Sequence, residues 1–424
     1  MIKFLLNGIL RDKSRSILPI IITAIGVSLT VFLSGYIRGA MGDMVDLNAR
    51  FETGHVKVMT QPYLENKDQL PNDLALLEVS ALQASLEQQF PEVSWEKRVR
   101  FGGLVDAPDR TGLTKGQGPA VGLAIDLFSE SGDEIRRMNL APALVQGSIP
   151  TEPGYALISE EFSKKLNAKV GDNVTYVGST MNGSMAFKNF KVSGTVQFGN
   201  PAMDRGAIII DISDAQLMLD MEDGAGELLG YLANDVYDDD EATEIAATFN
   251  KTYENSKDEF APVMQSLKQQ NGLASLIDYA EVMSGMFVVI FVFAMSVVLW
   301  NTGLLGGLRR YQEYGIRLAL GESKGHIYST MIMEAALIGV LGSIVGTIIG
   351  VAGAYALQVY GFDMSEYAPQ SNMLMPNVIR AKVTSDLFYI GFIPGVFAMV
   401  FGTMLSGIGI YRRETARLFK ELEV

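Results

Sequence analysis

The chain contains no cysteine. That excludes a disulfide, a thiol nucleophile and a thiolate metal site, and it fits an exported domain held together without staples. Histidine is almost as scarce, with only His55 and His326. Two such residues, predicted below to lie on opposite sides of a membrane, argue against a histidine-based metal centre. No Gly-Lys dipeptide occurs, so the phosphate-cradling GxxxxGK[ST] loop is missing and the chain cannot hydrolyse ATP by that route alone. HExxH and GxSxG are absent too. The string SWEK, Ser94 to Lys97, matches the SxxK pattern of serine acyl transferases, but it lacks the SDN and KTG companions and reads as an exposed strand face.

Charge is thin as well, at 19% of residues against 48% apolar, and it is unevenly placed. Residues 17–37, 282–305, 335–357 and 387–410 carry no Asp, Glu, Lys, Arg or His. A helix needs about 20 apolar residues to cross about 30 Å of hydrocarbon, so all four read as transmembrane helices. The first is longer than the apolar run of about 7 to 15 residues found in a secretory signal. Intramembrane ionisable groups mark proton and ion relays, so their absence argues against an ion-driven transporter. Energy for any work must then enter from a separate protein.

Basic residues set the orientation. Lys3, Arg11, Lys13 and Arg15 precede the first span; Arg309, Arg310, Arg317 and Lys324 lie between the second and third; Arg412, Arg413, Arg417 and Lys420 follow the fourth. These sides are predicted to be cytoplasmic, together with both termini. Residues 38–281 and the loop 358–386 then face outward. The long outer segment holds 20 lysines and arginines against 38 aspartates and glutamates. Such an acidic domain argues against a nucleic-acid partner.

Within that segment, period-two runs such as HVKVMT and VSWEKRVRFGGLV read as strands, and residues 74–90 read as an amphipathic helix. Short strands with Gly and Asp punctuation suggest a β-rich insert at about 115–225, set into an α/β module built from the two ends of the segment. The acidic run Asp238 to Glu244 reads as a solvated loop or helix start. The fold class is therefore an α+β membrane protein: four transmembrane helices, with a large extracytoplasmic α/β plus β-rich domain inserted between helices 1 and 2.

Two features stand out in the membrane half. The third span carries Gly339, Gly342, Gly346, Gly350 and Gly353. Glycine at every fourth position lines one helix face and admits a close neighbour, either within the subunit or across a subunit interface. Before it, in residues 306–334, YQEYGIRLAL reads as a short amphipathic helix. Glu313 and Arg317 stand four apart in the favourable order, and Tyr311, Tyr314 and Leu318 share a face. Gly321 sits where a helix stop belongs, and Ser323 is placed to cap the helix that runs into the third span.

EYGIRLALGESKGHIYSTMIMEAALIGVLGSIVG resembles the signature of MacB/FtsX/LolC-LolE-type ABC transporter permeases, in which a stretch like E-I-G-I-x-R-A-L-G-A leads to a glycine-rich span. NGILRDKSRSILPIIITAIGV resembles that family's opening, an amphipathic helix over residues 1–16 followed by a span. TGHVKVMT and ALISEEFSKKLNAKVGDNVTYVG resemble its outer domain, most nearly in the lipoprotein-releasing branch. The basic tail, residues 411–424, lacks the family's usual proline motif.

The resemblance implies that Tyr311, Glu313, Gly315, Ile316, Arg317, Leu318, Ala319, Leu320 and Gly321 form a coupling helix resting on a separate cytoplasmic ABC ATPase dimer. ATP and Mg belong to that partner, and no cofactor is implied for this chain. It further implies a second permease subunit, identical or related, residence in the bacterial inner membrane, and a lipoprotein or other lipophilic cargo. The same resemblance implies that cargo is moved by motion of the outer domain rather than through a channel, and that this chain is not itself an enzyme. The alternative is an FtsX-like signalling regulator that controls an envelope hydrolase and moves nothing.

Overall fold

The structure, a computed structural model, describes residues 13–109, 111–129, 131–199, 201–270, 272–363 and 378–412. The expected amphipathic start and basic tail lie almost wholly outside them. The described residues fall into two compact units, one of residues 13–43, 276–363 and 378–412, the other of residues 44–275. The helices used below are α1 Lys13–Asn48, α2 Val79–Gln89, α3 Asp133–Arg137, α4 Glu160–Leu166, α5 Ile212–Met218, α6 Asp239–Tyr253, α7 Leu273–Ala319, α8 Lys324–Tyr360 and α9 Phe392–Arg412.

The outer segment folds around ten strands: β1 Val56–Thr60, β2 Ser94–Pro108, β3 Thr114–Ile125, β4 Leu144–Gly147, β5 Tyr155–Ser159, β6 Asn173–Ser179, β7 Met185–Val196, β8 Ala207–Asp211, β9 Glu227–Tyr231 and β10 Pro262–Ser266. Their order is β10-β1-β9-β2-β3-β8-β5-β7-β4, and β6 joins β2 to β7. That extra pairing closes β2, β3, β8, β5, β7 and β6 into a six-stranded ring, which leaves those strands few free edges. Strand β2 is long enough to serve two structures. Ser94 to Arg98 pair with β9, while Val99 to Pro108 pair with β3, so the β-rich part begins inside β2.

The ring is filled by Phe101, Val105, Ile158, Val174, Tyr176, Phe190, Ile208 and Ile210, all buried. It is a packed core, with no room for a pore. Gly122 stands opposite Phe101 in the register, where a Cβ would come within 2.0 Å of the Phe101 ring. Beside the ring, β1 and β9 are buried along their whole length. Helix α6 starts in the acidic run, with Asp238 accepting from the Glu241 amide, and it buries Ala242, Ile245, Ala246 and Phe249 on one face. Burying a phenylalanine contributes about 1.5 to 3 kcal/mol.

In the other unit, among the described residues, three helices are long and apolar enough to cross a membrane: Ser16–Thr53, Lys324–Tyr360 and Leu387–Gly407. The described apolar part of α7 is shorter, Gly285–Asn301, and lies where the second span was expected. Close packing rests on glycine. Gly26 of α1 faces Met295 of α7, and Gly402 of α9 faces Leu299. Segment Arg380–Val383 crosses α1 at Gly35 and Gly39. The Lys382 amide donates to the Gly35 carbonyl at 3.0 Å, and a Cβ on Gly39 would sit 2.0 Å from the Arg380 carbonyl oxygen. Arg380 in turn caps α8 by donating to the Gln358 and Val359 carbonyls, and Arg38 pairs with Asp386.

Candidate functional site

Helix α7 runs unbroken from Leu273 to Ala319. The separate short helix read from YQEYGIRLAL is therefore the end of a longer one. Gly303, Gly306, Gly307 and Gly315 each cost about 1 kcal/mol of helix propensity relative to alanine, and none of them ends the helix. Gly321 does, at φ +92°. The Gly321 amide donates to the Leu318 carbonyl and the Glu322 amide to the Arg317 carbonyl, both at 3.0 Å. These are the paired 5→2 and 6→1 bonds of a Schellman motif, which satisfy carbonyls a helix end leaves open.

Ser323 then starts α8, its hydroxyl accepting from the His326 amide at 3.3 Å. Both the stop and the restart stand where the sequence placed them. Of the expected coupling residues, the side chains of Tyr311 and Glu313, like the surroundings of Gly315, lie outside the described ones. Ile316 and Leu320 are exposed, at 57% and 83%. Standing four apart, they share one helix face. Leu318 turns the other way and packs with Met331 against buried Ile327 of α8.

Arg317 has a partner that periodicity did not reveal. Its Nε and Nη2 donate to the two carboxylate oxygens of Glu322, both at 2.6 Å. Helical spacing looks three or four residues away, whereas Glu322 lies five residues on, across the turn. A readable signal existed in the Schellman geometry, which brings those two positions together.

The glycine ladder of α8 is occupied from inside the chain. Gly342 lies against Thr23, Gly346 against Ala24 and Val27, Gly350 against Ser28 and Val31, and Gly353 against Phe32, all on α1. Gly339 instead meets Val396 and Met399 of α9. Ladder and connector thus belong to one element, since α8 begins at the turn and carries the glycines that hold α1.

A second polar centre lies in the outer segment, buried where β2, β9 and α3 meet. Arg98 is fully buried and bonds Glu134 of α3 through Nε at 2.7 Å and Nη2 at 3.0 Å. The same Nη2 donates to Tyr231 Oη, which donates to the Ala49 carbonyl. Arg137 bridges Glu96 and Asp235 at 2.8 and 2.9 Å. Burial and the neighbouring Glu134 push Glu96 up to about 7 against the pull of Arg137. Burial brings His55 down to about 4, so its Nδ1 is free to accept from the Leu232 amide.

This buried ion pair ties distant segments together, although Arg98 Nη1 is buried without a hydrogen-bond partner. Lys97, the end of the SxxK string, donates to Ser80 at 2.7 Å. Ser80 itself donates to Asp223, which also accepts from the Ser80 amide in the first turn of α2. Among the described residues, no group of three or more His, Asp or Glu is placed to hold a metal ion.

Residues 16–248 match the family described as MacB-like periplasmic core domain, and residues 285–415 match the FtsX-like permease C-terminal family. The lipoprotein-releasing system transmembrane protein LolC of Xylella fastidiosa is similar in two strains. In one it is 28% identical over 229 residues, covering 52% of this chain and 53% of the relative. In the other it is 25% identical over 300 residues, covering 67% and 70%. An uncharacterized ABC transporter permease of Methanocaldococcus jannaschii is 22% identical over 263 residues, 62% of this chain and 61% of that protein. The chain thus spans about half the length of the first of these relatives, at 53%. Among solved structures, the periplasmic region of MacB from Actinobacillus actinomycetemcomitans is similar at 14% identity and a TM-score of 0.36, covering 55% of this chain and 96% of that one.

Proposed function

The chain belongs to the MacB-like periplasmic core domain family, and on that premise we propose that it is the permease subunit of an ABC transporter. In this reading four helices cross the membrane, the outer segment is inserted between the first two, and both termini are cytoplasmic. A separate ATPase dimer, holding ATP and Mg, docks on residues 311–321. Its motion passes through α8 to α1 and so to the outer segment, extracting or exporting a lipoprotein or other lipophilic cargo. A second permease subunit, identical or related, completes the machine.

The observation that carries this reading is the exposed pair Ile316 and Leu320 at the end of α7, on a turn joined tightly to α8. An apolar pair held out beside Arg317 suits a groove on a soluble partner. The relatives named for lipoprotein release support the cargo class. The match of residues 285–415 to an FtsX-like domain keeps the signalling alternative in view, which calls for an outer protein partner and no cargo-dependent ATP turnover.

The test is purification of the full chain with its native ATPase, followed by mass spectrometry of bound subunits and lipids. The paired replacement Ile316→Asp and Leu320→Asp is expected to abolish ATPase retention, while the chain still inserts in the membrane. Full retention by that variant would sink the assignment.

A further inference from the structure

The turn between α7 and α8 is built to hold one angle. In an ordinary Schellman motif a hydrophobic contact joins the third residue from the helix end to the residue after the left-handed glycine. Those positions are here Arg317 and Glu322, and a two-bonded ion pair replaces the hydrophobic contact. The same two residues share the 6→1 backbone bond. Backbone and side chains therefore close the turn twice over, between the same endpoints.

Three other contacts brace it. Leu318 packs on Ile327 and Met331; Ser323 caps α8; and the Glu322 carboxylate lies 3.5 Å from His326 Nε2. The Arg317 and Glu322 side chains are 28% and 24% exposed, and a planar guanidinium on a carboxylate fixes direction as well as distance. A lysine at 317 would supply charge without that orientation.

We propose that Arg317–Glu322 is a positioning clamp that keeps the α7–α8 turn rigid, so that displacement of the Ile316 and Leu320 face is passed to α8 instead of being absorbed at Gly321. This rests on the reading that residues 311–321 meet an ATPase. Without the clamp, Gly321 is a hinge, since glycine has the widest backbone freedom. With it, a push on the end of α7 reaches the ladder glycines of α8, and through them α1. Glu322 acts through its bonds to Arg317, on the angle alone.

Because the chain lacks cysteine, two spin labels can be placed at Ala319→Cys and Val340→Cys with no native cysteine to remove first. In the full-length permease in nanodiscs, the distance distribution between them is expected to be narrow, and Glu322→Gln to broaden it. In the complex with ATPase, Glu322→Gln is expected to leave ATPase retention unchanged. It should shrink the ATP-dependent shift in amide exchange of residues 44–275 by at least about 5-fold, the low end of an inter-site coupling.

A distribution that stays narrow in Glu322→Gln overturns the clamp, and so does an ATP response that stays full. Loss of ATPase in proportion to loss of response also overturns it, because Glu322 would then be a docking contact. Should the unaltered chain retain no ATPase, the functional reading fails instead, and the distance measurement alone still decides the clamp.

Discussion

Arg98 is the largest side chain that the outer segment buries completely, and it is charged. Its bonds to Glu134 and Tyr231 are what make that tolerable. Removing one partner strands the other, so Glu134→Gln should destabilise the outer segment by about 3 to 5 kcal/mol. Hydrogen exchange of the β9 amides in the full chain reads this directly, and unchanged protection would refute it.

Glu96 and His55 make a second residue-scale prediction, in pH. Glu96 keeps its proton in the fold up to about 7, above its ordinary 4.5. Its contribution to stability is therefore complete at low pH and is lost as pH rises through 7. His55 stays neutral in the fold down to about 4, below its ordinary 6.5. Its contribution is complete above 6.5 and is lost as pH falls through 4. The two slopes oppose each other between 4.5 and 6.5. With Glu96→Gln only the histidine slope remains, so stability of the outer segment should climb with pH over that interval more steeply than in the unaltered chain. Equal slopes in both proteins would contradict the assignment.

At the scale of elements, α8 packs on α1 through glycines with no room to spare. A Cβ on Gly346 would lie 2.6 Å from the Ala24 carbonyl oxygen, so Gly346→Ala should cost about 1 to 3 kcal/mol through overpacking. On α7, Gly285 has nothing within 4 Å of its Cβ position, and Gly285→Ala should be neutral or gain up to about 1 kcal/mol of helix propensity. Thermal unfolding of both variants in detergent separates the cases; identical midpoints would show that the ladder is not close-packed.

What the sequence revealed follows the same division between local and distant. Long uncharged runs, the stop at Gly321, the cap at Ser323 and the ladder itself depend on residues a few positions apart, so they could be read directly. The ladder's partner could not, because Ala24 and Gly346 meet only after folding. Ring closure was hidden for a similar reason, since β6 looks like any hairpin strand until its second pairing with β2 appears. Nothing near Arg98 announces Glu134. Glu322 was the intermediate case, local but at a spacing that helix periodicity ignores.

For the whole molecule, the strap across α1 sets a timetable. Asp43 and the Arg380 amide that donates to it are 337 positions apart in the chain. At about 5 to 20 residues per second of synthesis, that is a delay of roughly 15 to 70 seconds. Gly35 and Gly39 of α1 therefore stay uncovered while everything up to the crossing segment Arg380–Val383 is still being made. A probe on the neighbouring face of α1, which meets α8, should report the same interval. Thr23→Cys, fully buried in the finished protein, is expected to react with a lipid-soluble maleimide in ribosome-bound chains stopped before Lys324 and to be protected once α8 and the strap have emerged. Protection already present in the stopped chains would mean that something else attends to α1 first. During that interval the nascent protein carries a helix whose small-residue faces are not yet covered by the rest of its own chain.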